Sequence, residues 1–250
     1  MIAIEPDEFV AGAYTVSVNG HLQSHVNLAD PADLFFDYVR RMGAVLDAVA
    51  DPGQPLTAVH LGAGGLTLPR YLEATRPGSR QYVIEHRPGL VAEVLARLPL
   101  PAGARVTPMT GDAGSAATLL PADVVGAADV VVSDTYSGSP TAARLRSPGY
   151  YGSLRSLLAP RGVLLVNVPV DGDPRPAREQ AAILEDAGFG SVALLTASDV
   201  LGGGEGNVVL AASPSPDVLA GDRLARLRAA GPHPAAVLAG GELRAWARPA

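Results

Sequence analysis

Short apolar runs alternate with stretches of helical periodicity from residue 57 to about residue 212. Apolar runs of about four to eight residues between turn residues are typical of buried strands, whereas apolar residues three or four positions apart indicate a helix face. The alternation predicts an α/β fold, a mostly parallel seven-stranded sheet with helices on both faces. The predicted strands are Ala58–Leu61, Tyr82–Glu85, Arg105–Met109, Asp129–Ser133, Val163–Val168, Val192–Thr196 and Asn207–Ala212, the last one antiparallel. The predicted helices are Thr67–Thr75, Gly89–Arg97, Gly149–Leu158, Arg175–Ala187 and Asp222–Ala230.

A different pattern precedes this region. Two alternating runs, Tyr14–Val18 and His21–Val26, flank the pair Asn19-Gly20, which suits a type I′ turn, so the sequence predicts a small β-hairpin. Apolar residues near helical spacing then predict a helix over Pro31–Val49, with Asp30 as its N-cap.

A glycine cluster gives the first indication of function. The apolar run Ala58–Leu61 enters Gly62-Ala63-Gly64-Gly65, and the acid Glu85 ends the next strand about 20 residues later. Glycines let a ligand approach the backbone, and an acid at that distance accepts hydrogen bonds from a ribose diol. We therefore expect a Rossmann-like, nucleoside-binding catalytic domain over residues 31–213, a hairpin region over residues 1–30, and a tail with a short helix over residues 214–250. An exposed strand-end carboxylate is the alternative interpretation of Glu85.

Two further acids follow predicted strands. Asp112 comes just after the third strand and Asp134 directly after the fourth. Because ligands bind at the carboxyl ends of parallel strands, these acids and Glu85 predict a negatively charged cleft. Asp112 could instead cap the following helix, and Asp134 could brace its loop.

Composition narrows the possible functions. The formal net charge is −6 and the pI is about 5.3, which argues against binding to nucleic acid. All 19 basic residues are arginine and cysteine is absent, so lysine Schiff bases, a P-loop lysine and thiolate chemistry are excluded. With no apolar run of about 18 residues and no basic-then-apolar N-terminus, a cytoplasmic protein without membrane association is expected.

The histidines do not predict a metal centre. His21 and His25 alternate on the hairpin near Asp30, but no spacing supplies a third ligand. His60 lies inside a predicted strand and is interpreted as a packing residue. No metal is expected.

The order of these features resembles the spermidine synthase (polyamine aminopropyltransferase) family, whose core is a methyltransferase-like Rossmann sheet with an N-terminal β-region. The resemblance covers roughly residues 10–212 and rests on order and spacing more than on any single motif. The matching features are the hairpin with Gln23, the segment Asp33–Tyr38, the glycine turn, Glu85, Gly111-Asp112-Ala113, Asp134 and Tyr150-Tyr151.

The resemblance implies a reaction and a set of roles. Members of the family bind decarboxylated S-adenosylmethionine, and a diamine nitrogen attacks the carbon beside the sulfonium, releasing methylthioadenosine. By position, Glu85 would bind the ribose diol, Asp112 with Ala113 the adenine amino group, and Gln23 the adenosyl moiety. Gly62, Gly64 and Gly65 would form the cofactor turn, and Asp134 would be the base or the acid that orients the amine.

The sequence also departs from the family. Gly65 stands where the family motif GGGDGG has an aspartate that binds the aminopropyl ammonium. Ser137, next to Tyr136, stands where a second aspartate follows the catalytic one, and Phe36-Asp37 stand in place of a Tyr-His/Gln pair near the acceptor. The nucleoside half of the site is therefore expected to be retained, and much of the aminopropyl and acceptor half to be replaced.

Three functions follow from this pattern. The first is transfer of an aminopropyl group from decarboxylated S-adenosylmethionine to a small-molecule amine. The second is transfer of a methyl group from intact S-adenosylmethionine to an amine or another nucleophile, and the third is nucleoside binding without catalysis. A homodimer is compatible with the resemblance, because members of the family tend to form one.

Overall fold

The computed structural model describes residues 1–135 and 144–248. Its strands are β1 Ile2–Pro6, β2 Ala13–Val18, β3 His21–Asn27, β4 Thr57–Leu61, β5 Arg80–Glu85, β6 Arg105–Thr110, β7 Ala128–Ser133, β8 Leu158–Asp171, β9 Ser191–Ala197, β10 Glu205–Ser213 and β11 Ala235–Ala239. Its helices are α1 Asp37–Val49, α2 Thr67–Thr75, α3 Leu90–Arg97, α4 Ala116–Leu119, α5 Pro148–Leu157, α6 Arg175–Asp186, α7 Gly221–Ala230 and α8 Gly240–Ala247. Short 3₁₀ turns cover Ala113–Ser115 and Val200–Gly202.

The main sheet has eight strands in the order β11-β9-β10-β8-β7-β4-β5-β6. Strands β4 to β9 run in one direction, whereas β10 is antiparallel to β8 and β9, and β11 is antiparallel to β9. Helices cover both faces: in β7, Val131 packs into one apolar core while Val130 and Val132 pack into the other. The predicted α/β class and the antiparallel β10 are confirmed, with one strand more than predicted.

A separate three-stranded antiparallel sheet, in the order β1-β2-β3, lies at the N-terminus. Asn19 and Gly20 both adopt positive φ, at 53° and 80°, as a type I′ turn requires. The predicted hairpin is therefore confirmed as β2 and β3. The sequence analysis did not predict β1, which pairs with β2 from Ile2↔Val18 to Pro6↔Tyr14.

Two predictions about helix α1 are wrong. Helix α1 begins at Asp37, six residues later than predicted, and Asp30 is not its N-cap. The Asp30 carboxylate instead accepts a hydrogen bond from the Ala32 N–H at 3.1 Å, closing a local turn.

Strand β11 was not predicted because it is rich in alanine, a residue depleted in strands, and follows two prolines.

Within the described ranges, no helix has both the length and the apolar character needed to cross a bilayer.

His60 lies in β4, fully enclosed by the sheet and its covering helices. Its Nε2 donates to Gln81 Oε1 at 3.1 Å, and the Gln81 amide donates to the Pro69 carbonyl. Burial lowers the pKa of His60 to about 4, because the interior disfavours the imidazolium, with the Gln81 hydrogen bond opposing this. His60 is thus a neutral packing residue, as the sequence indicates.

This depressed pKa predicts a pH-dependent stability. The unfolded chain takes up a proton at His60 near its ordinary pKa, whereas the folded protein does not until about pH 4. The free energy of unfolding should therefore fall as the pH drops from about 6.5 to about 4, by on the order of 3 kcal/mol from this residue. Urea denaturation at several pH values in this range should show that the free energy of unfolding depends less on pH in His60→Phe than in the wild type. An equal pH dependence in both proteins would contradict the assignment of His60 as a buried neutral residue.

Candidate active site

The carboxyl ends of β4, β5, β6 and β7 meet at one edge of the sheet, and backbone hydrogen bonds continue past the strands there. The Gly62 N–H donates to the Ile84 carbonyl at 2.9 Å, and the Asp134 N–H donates to the Leu61 carbonyl at 3.0 Å. In the same way, the Gly111 N–H donates to the Glu85 carbonyl at 2.9 Å. The segments that carry the glycine turn, Glu85, Asp112 and Asp134 are therefore fixed next to one another by the main chain.

The first glycine of the turn is required by a close approach of two loops. Gly62 has φ 95°, and a Cβ at this position would lie 2.2 Å from the Asp134 carbonyl oxygen. A side chain would therefore separate the glycine turn from the segment after β7. The absence of a Cβ is what allows these two segments to share one site.

The last two glycines of the turn pack against the N-terminal sheet. Ser24 Oγ accepts a hydrogen bond from the Gly65 N–H at 2.8 Å, and Thr67 Oγ1 donates to the His25 carbonyl at 2.9 Å. A Cβ on Gly64 would lie 2.5 Å from Ser24 Oγ. A Cβ on Gly65 would lie 2.7 Å from Val26 Cγ2 and 3.0 Å from Ser24 Cβ. The N-terminal sheet thus fills the space into which a side chain at position 65 would extend.

A buried arginine supports the turn from below. The Arg70 guanidinium donates to the backbone carbonyls of Gly65, Leu98 and Pro99, and its side chain is 1% exposed. Burial lowers the pKa of Arg70 to about 10. Leu66, next to it, adopts φ 61° and is fully buried, so core packing holds it in a conformation that glycine usually occupies. The turn is therefore held by the segment after β7, by the N-terminal sheet and by Arg70.

Glu85 contacts the glycine turn directly. Its Oε2 accepts a hydrogen bond from the Ala63 N–H at 3.0 Å, and its Oε1 accepts one from the Arg87 N–H at 2.8 Å. The exposed His86 ring adds an Nδ1 contact of 3.0 Å to Oε1, while the Glu85 side chain is 7% exposed. A carboxylate held in this way is oriented before any ligand arrives. This differs from the alternative interpretation of Glu85 as an exposed strand-end residue.

Asp112 has two partners of its own. Its Oδ1 accepts from the Gly114 N–H at 2.8 Å, so it caps the 3₁₀ turn that follows β6. Arg144 donates to both carboxylate oxygens at 2.8 Å. The side chains of Asp112 and Arg144 are 38% and 60% exposed, so this ion pair lies at the surface. The neighbouring Ala113 is buried in the core beneath the turn.

Asp134 is bound by two side chains from different elements. Tyr38 on α1 donates its hydroxyl to Oδ2 at 3.3 Å, and Asn167 on β8 donates its amide to Oδ1 at 2.8 Å. Burial raises the pKa of Asp134 above its ordinary value, and the two hydrogen bonds oppose the rise because they stabilise the carboxylate. Burial, followed by the charge of Asp134, raises the pKa of Tyr38 too. Tyr38 therefore stays protonated as a donor, and Asp134 is a stronger base than an exposed aspartate.

The sequence analysis missed Asn167 on β8 and Tyr38 on α1, the two side chains that donate to Asp134. The spacing of Tyr38 with apolar residues indicated a helix face, whereas the predicted acceptor residues were Phe36 and Asp37. Phe36 stacks on Tyr38 at a ring distance of 6.1 Å, and Asp37 is exposed with ion pairs of 3.7 and 4.0 Å to Arg41 and Arg40. Only the distance of 3.3 Å between Tyr38 and Asp134 identifies the tyrosine, because 96 residues separate the two in sequence.

The remaining predicted residues lie around this edge or beyond the described ranges. Gln23 is half-buried on β3, next to the Ser24 that contacts the turn. Tyr136 and Ser137 lie outside the described residues. A surface groove of about 430 Å³ runs along the outer face of α1, lined by residues such as Arg40, Asp47 and Arg226, and none of the predicted site residues line it.

Among the described residues, no group of three or more His, Asp and Glu side chains is placed to hold a metal ion. His25, which the hairpin pattern singled out, is buried with its Nε2 3.0 Å from Asp7 Oδ2 and its ring stacked on Phe35 at 4.3 Å. His25 therefore joins the β1–β2 loop to β3.

Sheet order, glycine turn and strand-end acids together define an α/β protein of the methyltransferase-like type. Polyamine aminopropyltransferase 2 of Streptomyces coelicolor is 34% identical over 195 residues, 71% of this chain but 35% of that relative. The chain thus spans about a third of the length of that curated relative. The crystal structure of a probable spermidine synthase from Corynebacterium glutamicum matches with a TM-score of 0.86 and 25% identity, covering 98% of this chain and 90% of the other.

A third likeness concerns the fold alone. Human methyltransferase-like protein 13, in complex with SAH, has a TM-score of 0.61 and 21% identity over 78% of this chain and 90% of the other. No protein-family model matches the chain. The chain is a divergent relative of the spermidine synthase (polyamine aminopropyltransferase) family, and the relationship predicted from the order of its motifs is confirmed.

The packing at Gly65 predicts a specific cost of substitution. Gly65→Ala should lower the free energy of unfolding by about 1–3 kcal/mol, because Val26 and Ser24 must move away from the new methyl group. Gly65→Asp should cost more, because it adds a charge to the same interface. Urea denaturation measures both. Gly152→Ala in α5 is the control, since nothing lies within 4 Å of that Cβ and a helical glycine gains up to about 1 kcal/mol from the change. Equal effects at the two positions would contradict the packing argument.

Proposed function

We propose that this chain is a spermidine synthase-like transferase that moves the aminopropyl group of decarboxylated S-adenosylmethionine to a small-molecule amine. The observation that carries the proposal is the environment of Asp134. This carboxylate follows β7 directly, its main chain touches the glycine turn, and Tyr38 and Asn167 donate to its two oxygens. It is thus a fixed carboxylate with a raised pKa at the edge of the sheet where ligands of such folds bind.

The reaction requires a neutral amine, because a protonated nitrogen has no lone pair. The nitrogen forms a bond to the carbon beside the sulfonium while the bond between that carbon and sulfur breaks, and the sulfur keeps the electron pair as neutral methylthioadenosine. The proton that the nitrogen loses goes to an oxygen of Asp134. A raised pKa favours this transfer, since a stronger base takes up the proton more readily.

The nucleoside half of the ligand is compatible with the residues present. Glu85 is held beside the turn through the Ala63 N–H, where a ribose diol would donate to its carboxylate oxygens. Gly62 and Gly64 let the turn pack closely against the Asp134 carbonyl and Ser24 Oγ, which keeps the turn in place beside Glu85. Glu85 would therefore bind the ribose, and Asp112 would accept a hydrogen bond from the adenine amino group.

The aminopropyl half is less well matched. Position 65 carries no acid, and Val16, Ser24 and Val26 fill the space around it. An ammonium in this part of the cleft would lack a partner that is worth about 2–5 kcal/mol in a desolvated pair. Tight binding of the aminopropyl donor, and hence transfer at low donor concentration, is therefore not expected.

Product release tests the proposal. The protein should release methylthioadenosine from decarboxylated S-adenosylmethionine with at least one of putrescine, cadaverine and longer amines, as measured by mass spectrometry. Asp134→Asn should lower kcat/KM by about 100-fold or more through loss of the base, with the affinity for methylthioadenosine nearly unchanged. Asp123→Asn is the control, since Asp123 is an exposed carboxylate paired with Arg80. No release with any amine would contradict aminopropyl transfer.

Methyl transfer from intact S-adenosylmethionine is a second candidate, and the filled space at Gly65 favours it. A methyl transfer needs nucleoside binding and alignment but no acid for an aminopropyl ammonium. Calorimetry with both sulfonium compounds separates the two candidates, because a clear preference for the carboxylated compound supports methyl transfer. Tight nucleoside binding without turnover of either compound would point to a binding protein.

The ion pair at Asp112 predicts a competition. If Asp112 accepts the adenine amino group, bound nucleoside must share or displace Arg144, which uses both carboxylate oxygens. Arg144→Ala should then raise the affinity for methylthioadenosine by up to about fivefold, since exposed ion pairs are worth about 0.2–1 kcal/mol. Calorimetry measures the change. Arg175→Ala, which breaks a similar exposed pair with Asp173 elsewhere, should leave the affinity unchanged. Weaker binding in Arg144→Ala would show that the arginine itself contacts the ligand.

A further inference from the structure

A chain of side-chain amides leads from the edge of the candidate site into the sheet. Asn167 Nδ2 donates to Asp134 Oδ1 at 2.8 Å, and Asn167 Oδ1 accepts from Asn207 Nδ2 at 3.0 Å. Asn207 lies on β10 and has no direct contact with Asp134 among the hydrogen bonds of the described residues. Among the described residues, Asn207 therefore reaches the carboxylate through Asn167.

The register of β8 and β10 explains why the two amides meet. Asn167 is paired with Val209, and Asn207 is paired with Pro169. Asn207 is therefore the diagonal neighbour of Asn167 on one face of the antiparallel pair, within reach of a side-chain hydrogen bond. The Asn207 backbone is held as well, because Thr196 Oγ1 on β9 donates to its carbonyl at 2.8 Å.

The donors and acceptors fix the direction of this chain. An ionised carboxylate only accepts, so Asn167 must present its NH₂ group to Asp134 and its carbonyl oxygen to Asn207. Asn207 must then present its NH₂ group to that oxygen. Without the Asn207 donor, the Asn167 amide could rotate and turn its oxygen toward Asp134, which would disfavour the carboxylate.

We propose that Asn207 is a positioning residue, which holds the Asn167 amide in the orientation that stabilises the Asp134 carboxylate. Its significance for catalysis rests on the proposed function, in which Asp134 accepts the proton of the amine. The inference about orientation does not, because it concerns the protein without any ligand.

Other described groups also contact Asp134. Tyr38 donates to Oδ2 from α1, and the Leu61 carbonyl on β4 accepts from the Asp134 main chain. Besides burial, the described side chains that shift the pKa of Asp134 are Asn167 and Tyr38, and both lower it. A change at Asn207 should therefore reach Asp134 through Asn167, with Tyr38 as the remaining donor.

The test is a titration of the Asp134 carboxyl carbon by ¹³C NMR in the ligand-free protein, with the signal assigned by its loss in Asp134→Asn. Asn207→Leu should raise the pKa of Asp134 by roughly 0.5 to 1 pH unit, because a hydrogen bond to a charged group is weakened. Asn167→Leu should raise it at least as much. The double variant should match Asn167→Leu alone, because the second residue acts through the first.

Thr196→Val is the matched control. It removes the hydroxyl that holds the Asn207 backbone but leaves both amides in place, and it should not shift the Asp134 titration. An unchanged pKa in Asn207→Leu, additive shifts in the double variant, or an equal shift in Thr196→Val would each overturn the proposal.

The proposal and the proposed function fail in different ways. The titration uses the ligand-free protein and needs no turnover. It therefore tests the role of Asn207 even if no amine is a substrate. In an active enzyme, Asn207→Leu should also move the acid limb of the kcat/KM profile to higher pH, because the base is protonated at a higher pH. If Asn207→Leu shifts the pKa of Asp134 but leaves the acid limb of the kcat/KM profile unchanged, Asp134 is not the base.

Discussion

Close packing between the N-terminal sheet and the glycine turn is the constraint on which the rest of the site depends. Ser24 accepts a hydrogen bond from the Gly65 N–H, and the side chains of Val16 and Val26 occupy the space above that residue. On its other side, the turn lies against the segment after β7. This close approach is possible because Gly62 has no side chain. One turn therefore connects three parts of the chain. The turn also contacts the Glu85 carboxylate through the Ala63 N–H, and the packing of Val26 and Ser24 leaves little room for a side chain at position 65.

Two acids of the site, Glu85 and Asp134, are held by different means. Glu85 is fixed by backbone N–H groups and is nearly inaccessible, so its oxygens keep one orientation. Asp134 is fixed by a phenol and an amide, and burial destabilises its charged form. Backbone donors hold the Glu85 carboxylate in one orientation, which suits recognition of a sugar, whereas the raised pKa of Asp134 suits proton transfer. This division agrees with the proposal that one acid binds and the other acts as the base.

Much of the fold could be predicted because it depends on local pattern. Apolar runs located strands β4 to β10, and the glycine turn with Glu85 located the edge where a ligand would bind. What the sequence did not reveal depends on distant contacts. Strand β11 forms because β9 offers a free edge, although its alanines give little local signal. From its spacing in the sequence, Tyr38 is interpreted as a core residue, and only the position of α1 in the fold places its hydroxyl next to Asp134. The direction of the Gly65 Cβ toward the N-terminal sheet is likewise a tertiary property that no motif records.

The central claim is that the nucleoside half of the site is retained while position 65 offers no partner to an aminopropyl ammonium. Calorimetric titration with methylthioadenosine and with decarboxylated S-adenosylmethionine tests it most directly, because the two ligands share the adenosyl group and differ in the charged tail. An acid partner would add about 2–5 kcal/mol to the binding of the second ligand. Both ligands are expected to bind, with affinities that agree within about tenfold. A larger preference for the decarboxylated sulfonium, or no binding of methylthioadenosine, would contradict it.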